Sequence, residues 1–203
     1  KKADVYIYDI KFDSNKTSFK FNLNNKNINH SKNFKFTINT LGNHNVLNGT
    51  ASIIASKLLG VSNISINKAL KNYIGVKRRF TLLGKKNNAL IYDDYAHHPT
   101  EISATLSAAK YLKRNIIVVF QPHRFSRTKI LMENFIRILS KINHLILLET
   151  YSAGEKKIKG FETKDIYNKL QKLKKNVVYV RKNNLNNIVY KETYQQNIII
   201  FMG

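Results

Sequence analysis

ALIYDDYAHHPTEISATLSAAKYLKRNIIVVFQPHRFSRTKILMENFIRILSKINHLILLE, residues 89 to 149, is the stretch that decides the fold. It alternates apolar runs with helical patterns. Ala89–Tyr92, Asn115–Phe120 and His144–Glu149 read as strands, and Pro99–Lys113 and Ser126–Ser140 read as the helices between them. Downstream the rhythm continues through helix Thr163–Leu173, strand Asn176–Arg181 and a last apolar run, Asn197–Phe201. Nearly continuous apolar strands separated by helices predict a mostly parallel sheet covered on both faces, an α/β architecture. Ligands of such sheets sit beyond the carboxyl ends of the strands.

Upstream, Phe80–Leu83 and Ala89–Tyr92 predict a hairpin around residues 84–88. The short basic segment Gly75–Arg79 reads as a boundary between residues 1–75 and 76–203. The first part opens with strands Val5–Lys11, Thr17–Leu23 and Phe34–Asn39. Asp13, Ser14 and Asn15 are a predicted turn, and the polar run Asn24–Lys32 a hairpin loop. From Asn45 to Leu59, Val46, Leu47, Ala51, Ile54, Ala55 and Leu58 predict a well-buried helix that Gly60 ends. Ser62 or Asn63 then caps a second helix that stops before Gly75. Strands followed by two helices look like the tail of an α/β domain.

Composition narrows the function. The 203 residues are 43% hydrophobic and 11% aromatic, which excludes a disordered chain. With no Cys, disulfides, thiolate metal sites and a Cys nucleophile are excluded. The longest apolar runs, Ile116–Phe120 and Leu145–Leu148, are too short to cross a membrane, and no apolar segment follows Lys1 and Lys2 as in a signal peptide. A cytoplasmic address and no membrane insertion are expected. The formal charge of +23 invites a nucleic-acid reading. Saturation with Lys, Asn and Ile together, as in Asn22–Asn29 and Lys182–Asn187, instead reads as drift in an A+T-rich genome, because Asn adds no phosphate affinity. No specific nucleic-acid partner is expected.

Four clusters can carry chemistry. The densest, Asp93 to Glu101 (DDYAHHPTE), lies where a strand gives way to a helix, with Pro99 at the first helical position. It gathers carboxylates, a phenol and two imidazoles at a carboxyl strand end. Its bland reading is capping plus solvated charge. A metal site is weaker, because adjacent histidines on an extended segment point apart. The second, Gln121 to Thr128 (QPHRFSRT), also opens a helix. Arg124 and Arg127 would converge in a helical first turn, and the helix N-terminus favours a small carboxylate or phosphate. Its bland reading is a pair of surface cations. The third, Leu41 to Asn48 (LGNHNVLN), offers an Asn amide for an adenine edge or merely an N-cap. The fourth, Lys77 to Phe80, reads by itself as a solvated basic linker. G-x-x-x-x-G-K-[ST], G-x-G-x-x-G and G-x-S-x-G are all absent.

Taken in order, G-x-H-N-x-x-N, R-R-F, D-D-Y-A-H-H-P-T-E, Q-P-H-R-F-S-R-T and Y-S-A-G-E resemble the Mur ligases. The resemblance is to the members that join L-alanine to UDP-N-acetylmuramate. It covers nearly the whole chain, strongly from about Leu41. It implies a Rossmann-like C-terminal domain over 76–203, cut short at its end, preceded over 1–75 by the truncated end of a central ATP-binding α/β domain. The implied activity is ATP-dependent carbon–nitrogen ligation in peptidoglycan synthesis, with ATP phosphorylating a carboxylate that an amine then attacks.

By resemblance, His44 and Asn45 sit where the family contacts adenine, Arg79 where it reaches the phosphates, and Asp94 where it faces the ribose. Tyr95, His97, Arg124 and Arg127 match the L-alanine pocket, with His97 orienting the amine or taking its proton. Residues 151–155 match without a role beyond a loop. No metal ligand is assigned, because the implied phosphate loop and most Mg2+ ligands lie outside these residues. For that reason, no turnover is expected from them alone. A basic nucleic-acid-binding module and a Mur ligase for another amino acid remain the alternatives.

Overall fold

The computed structural model describes residues 4–13, 16–23, 34–173 and 176–203. The chain divides into two compact units, Lys1–Gly75 and Val76–Gly203.

In the first unit, β1 (Val5–Asp13), β2 (Lys16–Leu23) and β3 (Phe34–Ile38) form an antiparallel sheet in chain order. The expected turn at Ser14 and Asn15 and the loop at 24–32 lie outside the described residues. Alternation sends Phe19, Phe21, Phe36 and Ile38 to one face. There they meet Val46 and Ile53 of α1 (Asn43–Leu58) and Ile66 of α2 (Asn63–Asn72). The Ser62 hydroxyl caps α2 by accepting from the Ser65 N–H. The expected burial of α1 is corrected. Val46, Thr50 and Ile53 are buried, while Leu47 and Leu58 are exposed. A three-stranded sheet covers only one side of that helix.

The second unit is a six-stranded sheet in the order β4-β5-β9-β6-β7-β8. Its strands are β4 (Thr81–Lys86), β5 (Ala89–Asp94), β6 (Asn115–Phe120), β7 (His144–Leu147), β8 (Val177–Tyr179) and β9 (Asn197–Met202). Only β4 runs antiparallel. The hairpin turns at Asn87 and Asn88, at the end of the expected 84–88 stretch, with Asn87 at φ 50°. Gly84 lies inside β4 at an irregularity in register.

Side chains alternate between two cores. Val118, Phe120, Leu145, Leu147, Ile198 and Ile200 face one core. That side is covered by α3 (Pro99–Lys110), α4 (Phe125–Leu139) and α5 (Thr163–Gln171). Ile117, Val119, Ile146 and Ile199 face the other, where α6 (Leu185–Glu192) contributes Val189. No helix was expected at α6. Its opening Leu-Asn-Asn has weak helical propensity, and its packing of Leu185, Ile188 and Val189 on the sheet holds it.

Candidate functional site

The parallel register places the strand ends level. Asp94 and Phe120 both pair with Met202, and Phe120 also pairs with Leu147. The loops after β5, β6 and β7 therefore emerge from one edge of the sheet, and they carry the two densest motifs.

Asp94 ends β5 with its side chain buried. One carboxylate oxygen accepts from the Ala96 N–H (2.7 Å). The other accepts from the Phe80 N–H (2.9 Å) and the Thr105 hydroxyl (2.8 Å). Burial pushes its pKa up, against the lowering effect of these hydrogen bonds. An ionised carboxylate has about four lone-pair sites, so these three donors use most of its capacity. Its three bonds tie together the segment before β4, the loop after β5 and α3.

That segment is a built loop rather than the linker its charge suggested. Arg78 and Phe80 both take positive φ, 58° and 47°. Such conformations cost about 1–3 kcal/mol each in non-glycine residues and need surrounding support. Asp94 holds Phe80, whose ring stacks on Tyr92 (centroids 4.4 Å apart). Arg78 donates to Asp93 (3.1 Å) and to the Gly203 carbonyl (2.9 Å), and its guanidinium lies over the Tyr95 ring (4.8 Å). Between them Arg79 remains exposed, with Nη1 3.7 Å from Glu101 Oε1.

His97 is fixed from three sides. Its Nδ1 lies 2.8 Å from the Tyr95 carbonyl oxygen, its backbone N–H donates to Glu101 Oε2 (3.0 Å), and Tyr95 meets its ring edge-on (4.8 Å). A carbonyl only accepts, so Nδ1 carries the hydrogen. In the neutral ring the Nε2 lone pair is then the proton acceptor. His98 does different work: it caps α3, accepting from the Thr100 N–H in a box completed by Glu101. Burial acts to raise the Glu101 pKa, but the His97 and His98 N–H donors and the charges of His97 and Arg79 outweigh it and hold it low.

The loop after β6 meets the loop after β7 through a parallel bridge between His123 and Tyr151. Arg124 N–H donates to the Tyr151 carbonyl (2.9 Å), and Tyr151 N–H to that of Pro122 (2.8 Å). These bonds hold Arg124 at φ 74°, where it is the N-cap of α4 instead of a first-turn residue. The convergence expected from helical spacing is corrected accordingly. Arg127 turns back onto its own loop, donating to His123 Nδ1 and the His123 carbonyl, both at 3.2 Å. Arg124 Nη1 lies 3.8 Å from Glu155 Oε1. Burial first, then Arg127 and the other nearby cations, lower the His123 pKa. His123 bridges the motifs, with ring centroids 5.8 Å from His97 and 5.3 Å from Tyr151.

A second correction concerns the α4 N-terminus, expected to offer free N–H groups to a ligand. Glu155 already occupies it. Its Oε2 accepts from the Ser126 N–H (3.0 Å) and its Oε1 from the Ser126 hydroxyl (2.6 Å). These bonds, helped by Arg124, hold its carboxyl below the usual range. Residues 151–155 therefore do more than close a loop. The Y-S-A-G-E motif was visible, but the distance from Ser126 hid the contact.

In the first unit, Gly42 caps α1 at φ 101° without a side-chain bond. Asn45 lies inside the helix, its amide donating to the Leu41 carbonyl (2.8 Å). A carboxamide with one N–H so used keeps the other N–H and its oxygen, the pair an adenine edge takes. His44 is half-buried beside it. Among the described residues no three His, Cys, Asp or Glu side chains gather to hold a metal, and no helix is long and apolar enough to cross a membrane.

Comparison with known proteins places this geometry. The UDP-N-acetylmuramate–L-alanine ligase of Carboxydothermus hydrogenoformans is 46% identical over 140 residues, covering 68% of this chain and 30% of its own length. That of Caldicellulosiruptor saccharolyticus is 43% identical over 155 residues, covering 76% and 34%. The chain thus spans about a third of the length of these relatives. The crystal structure of the UDP-N-acetylmuramate-alanine ligase of Thermotoga maritima superposes with a TM-score of 0.80 at 26% identity, covering all of this chain and 43% of that one. The model of the Mur ligase glutamate ligase domain matches residues 78–203, the parallel sheet with both strand-end clusters, and the chain belongs to the Mur ligase family.

Proposed function

We propose that these residues are part of a longer ATP-dependent ligase that joins L-alanine to UDP-N-acetylmuramate in peptidoglycan synthesis. In this reading, residues 76–203 supply the amino-acid pocket, and residues 1–75 are the end of the ATP-binding domain. The observation that carries it is the junction of the two strand-end motifs through the His97–His123 contact (5.8 Å), with Arg124 next to His123 as the N-cap of α4 and Arg127 in the first turn of that helix. The apolar side chains that α1 leaves exposed fit a domain of which only a part is here.

The roles follow from chemistry. Arg124 and Arg127 neutralise the L-alanine carboxylate through charge-assisted hydrogen bonds. Tyr95 holds the His97 ring, and Glu101 its backbone N–H, so that Nε2 orients the amine and takes its proton as it attacks. Asn45, with His44 beside it, faces adenine, Arg79 pairs with phosphate oxygens, and Asp94 faces the ribose. ATP, the proposed nucleotide, supplies the phosphoryl group that activates the carboxylate. The described residues do not assemble a site for Mg2+, so no step is drawn through it.

Arg124→Ala in the full-length ligase tests the pocket. Losing one charge-assisted bond of about 1.5–3 kcal/mol is expected to raise the L-alanine KM about tenfold to hundredfold, with the ATP KM unchanged. An unchanged L-alanine KM would remove Arg124 from the pocket. Residues 1–203 alone are expected to release no phosphate from ATP with both substrates present, because phosphoryl transfer needs the missing positioning groups.

A further inference from the structure

Arg124 reaches solvent from a backbone that a non-glycine residue rarely adopts, with no side-chain cap of its own and no acid in the first turn of α4. What holds it comes from the loop after β7. The Tyr151 carbonyl accepts from its N–H. Glu155, 29 residues along the chain from Ser126, takes the Ser126 N–H and hydroxyl and faces the guanidinium from Oε1 (3.8 Å). The Ser126 hydroxyl bond, at 2.6 Å, turns Oε1 toward that side. The carboxylate thus meets two demands at once. It satisfies the positive end of α4, and its negative charge faces one side of the Arg124 guanidinium at 3.8 Å.

A guanidinium has a second edge. With the helix terminus already holding an anion, the exposed edge of Arg124 is left for a carboxylate arriving from solvent. We infer that Glu155 is the positioning residue of the amino-acid pocket, aiming Arg124 at the substrate carboxylate while closing the α4 N-terminus to it. This rests on the ligase reading proposed above. Without Glu155, an incoming carboxylate would find two competing seats, the helix end and a wandering guanidinium. Binding would weaken, because the substrate would have to order the guanidinium itself. The lowered pKa of Glu155 keeps it charged across the neutral range.

The test is a double-mutant cycle in the full-length ligase, with Glu155→Gln, Arg124→Ala and the pair, read as separate KM values for L-alanine and ATP and as kcat. Glu155→Gln keeps the shape and removes the charge. It is expected to raise the L-alanine KM about tenfold, with kcat and the ATP KM within about twofold. On the Arg124→Ala background it is expected to add less than about twofold, because its effect passes through Arg124.

An unchanged L-alanine KM in Glu155→Gln, with only a lower melting temperature, would overturn the inference and leave a plain helix cap. So would a fall in kcat shared by all substrates, or the full tenfold effect on the Arg124→Ala background. If Glu155→Gln does not fold, Glu155→Asp, which keeps the charge but withdraws it by one methylene, enters the same cycle with the same criteria. Failure of Arg124→Ala to raise the L-alanine KM sinks the ligase pocket itself. A rise there with no effect of Glu155→Gln sinks only this inference.

Discussion

Replacing Asp94 by Ala should damage the second unit more than any change at an exposed site residue. The carboxylate is 4% exposed and accepts from the Phe80 N–H, the Ala96 N–H and the Thr105 hydroxyl. Each donor left buried without a partner costs about 1–3 kcal/mol, so the gross loss is about 3–9 kcal/mol. Two effects reduce it. The raised pKa of Asp94 means that ionising it in place is itself unfavourable, and that cost disappears with the group. Water also enters the space left behind. A net loss of about 3–4 kcal/mol is expected, a large part of a typical domain stability of about 5–15 kcal/mol.

Asp94→Asn should fall between, because its single oxygen serves one side of the site while its NH2 meets a donor on the other. Urea unfolding of the 203-residue chain, followed by fluorescence of its 11 tyrosines, measures this. At a slope of about 2 kcal/mol per molar, the midpoint of the second unit should drop by about 1.5–2 M for Ala. Hydrogen exchange at the Phe80 and Ala96 amides should accelerate most. A loss below about 1 kcal/mol for Ala, or Asn worse than Ala, would refute the reasoning.

Two further outcomes are expected. Gly42→Ala should cost the first unit about 1–3 kcal/mol, since φ 101° suits no Cβ; faster exchange of α1 amides would register it. Acid should weaken the second unit. Glu101 and Glu155 have folded pKa values below their ordinary 4.5, so their stabilisation is present above 4.5 and is lost as pH falls through the folded values. Asp94, shifted up from 3.8, acts in the opposite direction, its cost easing as pH falls through its folded value. The urea midpoint should therefore decline below about pH 4.5, and less steeply in Glu155→Gln; equal acid limbs would exclude Glu155 as a contributor.

The sheet was legible because its strands are short apolar runs bounded by turn residues, and because Pro99 marks a helix start that needs no N–H donor. The candidate site residues were legible as types at strand ends. Their partners were not. Nothing near Ser126 in the sequence names Glu155, and nothing near Phe80 names Asp94. Such pairings are set by which loops the sheet order brings together, and β9 inserts between β5 and β6 from the far end of the chain. The exposed half of α1 misled for a related reason. Apolar spacing reports a face that wants burial, and only tertiary structure says what covers it.

The surviving acids bear on the +23 charge. If the excess of Lys were selected for a polyanion, acids would be absent wherever they oppose it, partnered or not. If it reflects drift, acids should persist where a carboxylate has work to do. The second pattern fits. Asp9 pairs with Lys20, Asp93 with Arg78, and Glu133 with Lys169. Asp94 and Glu155 hold loops, Glu101 caps α3, and Glu162 and Asp165 cap α5. Glu149 accepts from the Tyr179 hydroxyl, and Glu192 from the Asn197 amide. Meanwhile residues 14–92 carry no acid at all. The carboxylates that are present have donors to satisfy, including Glu155 beside Arg124 of the proposed pocket. The net charge alone therefore does not describe how the acids are used.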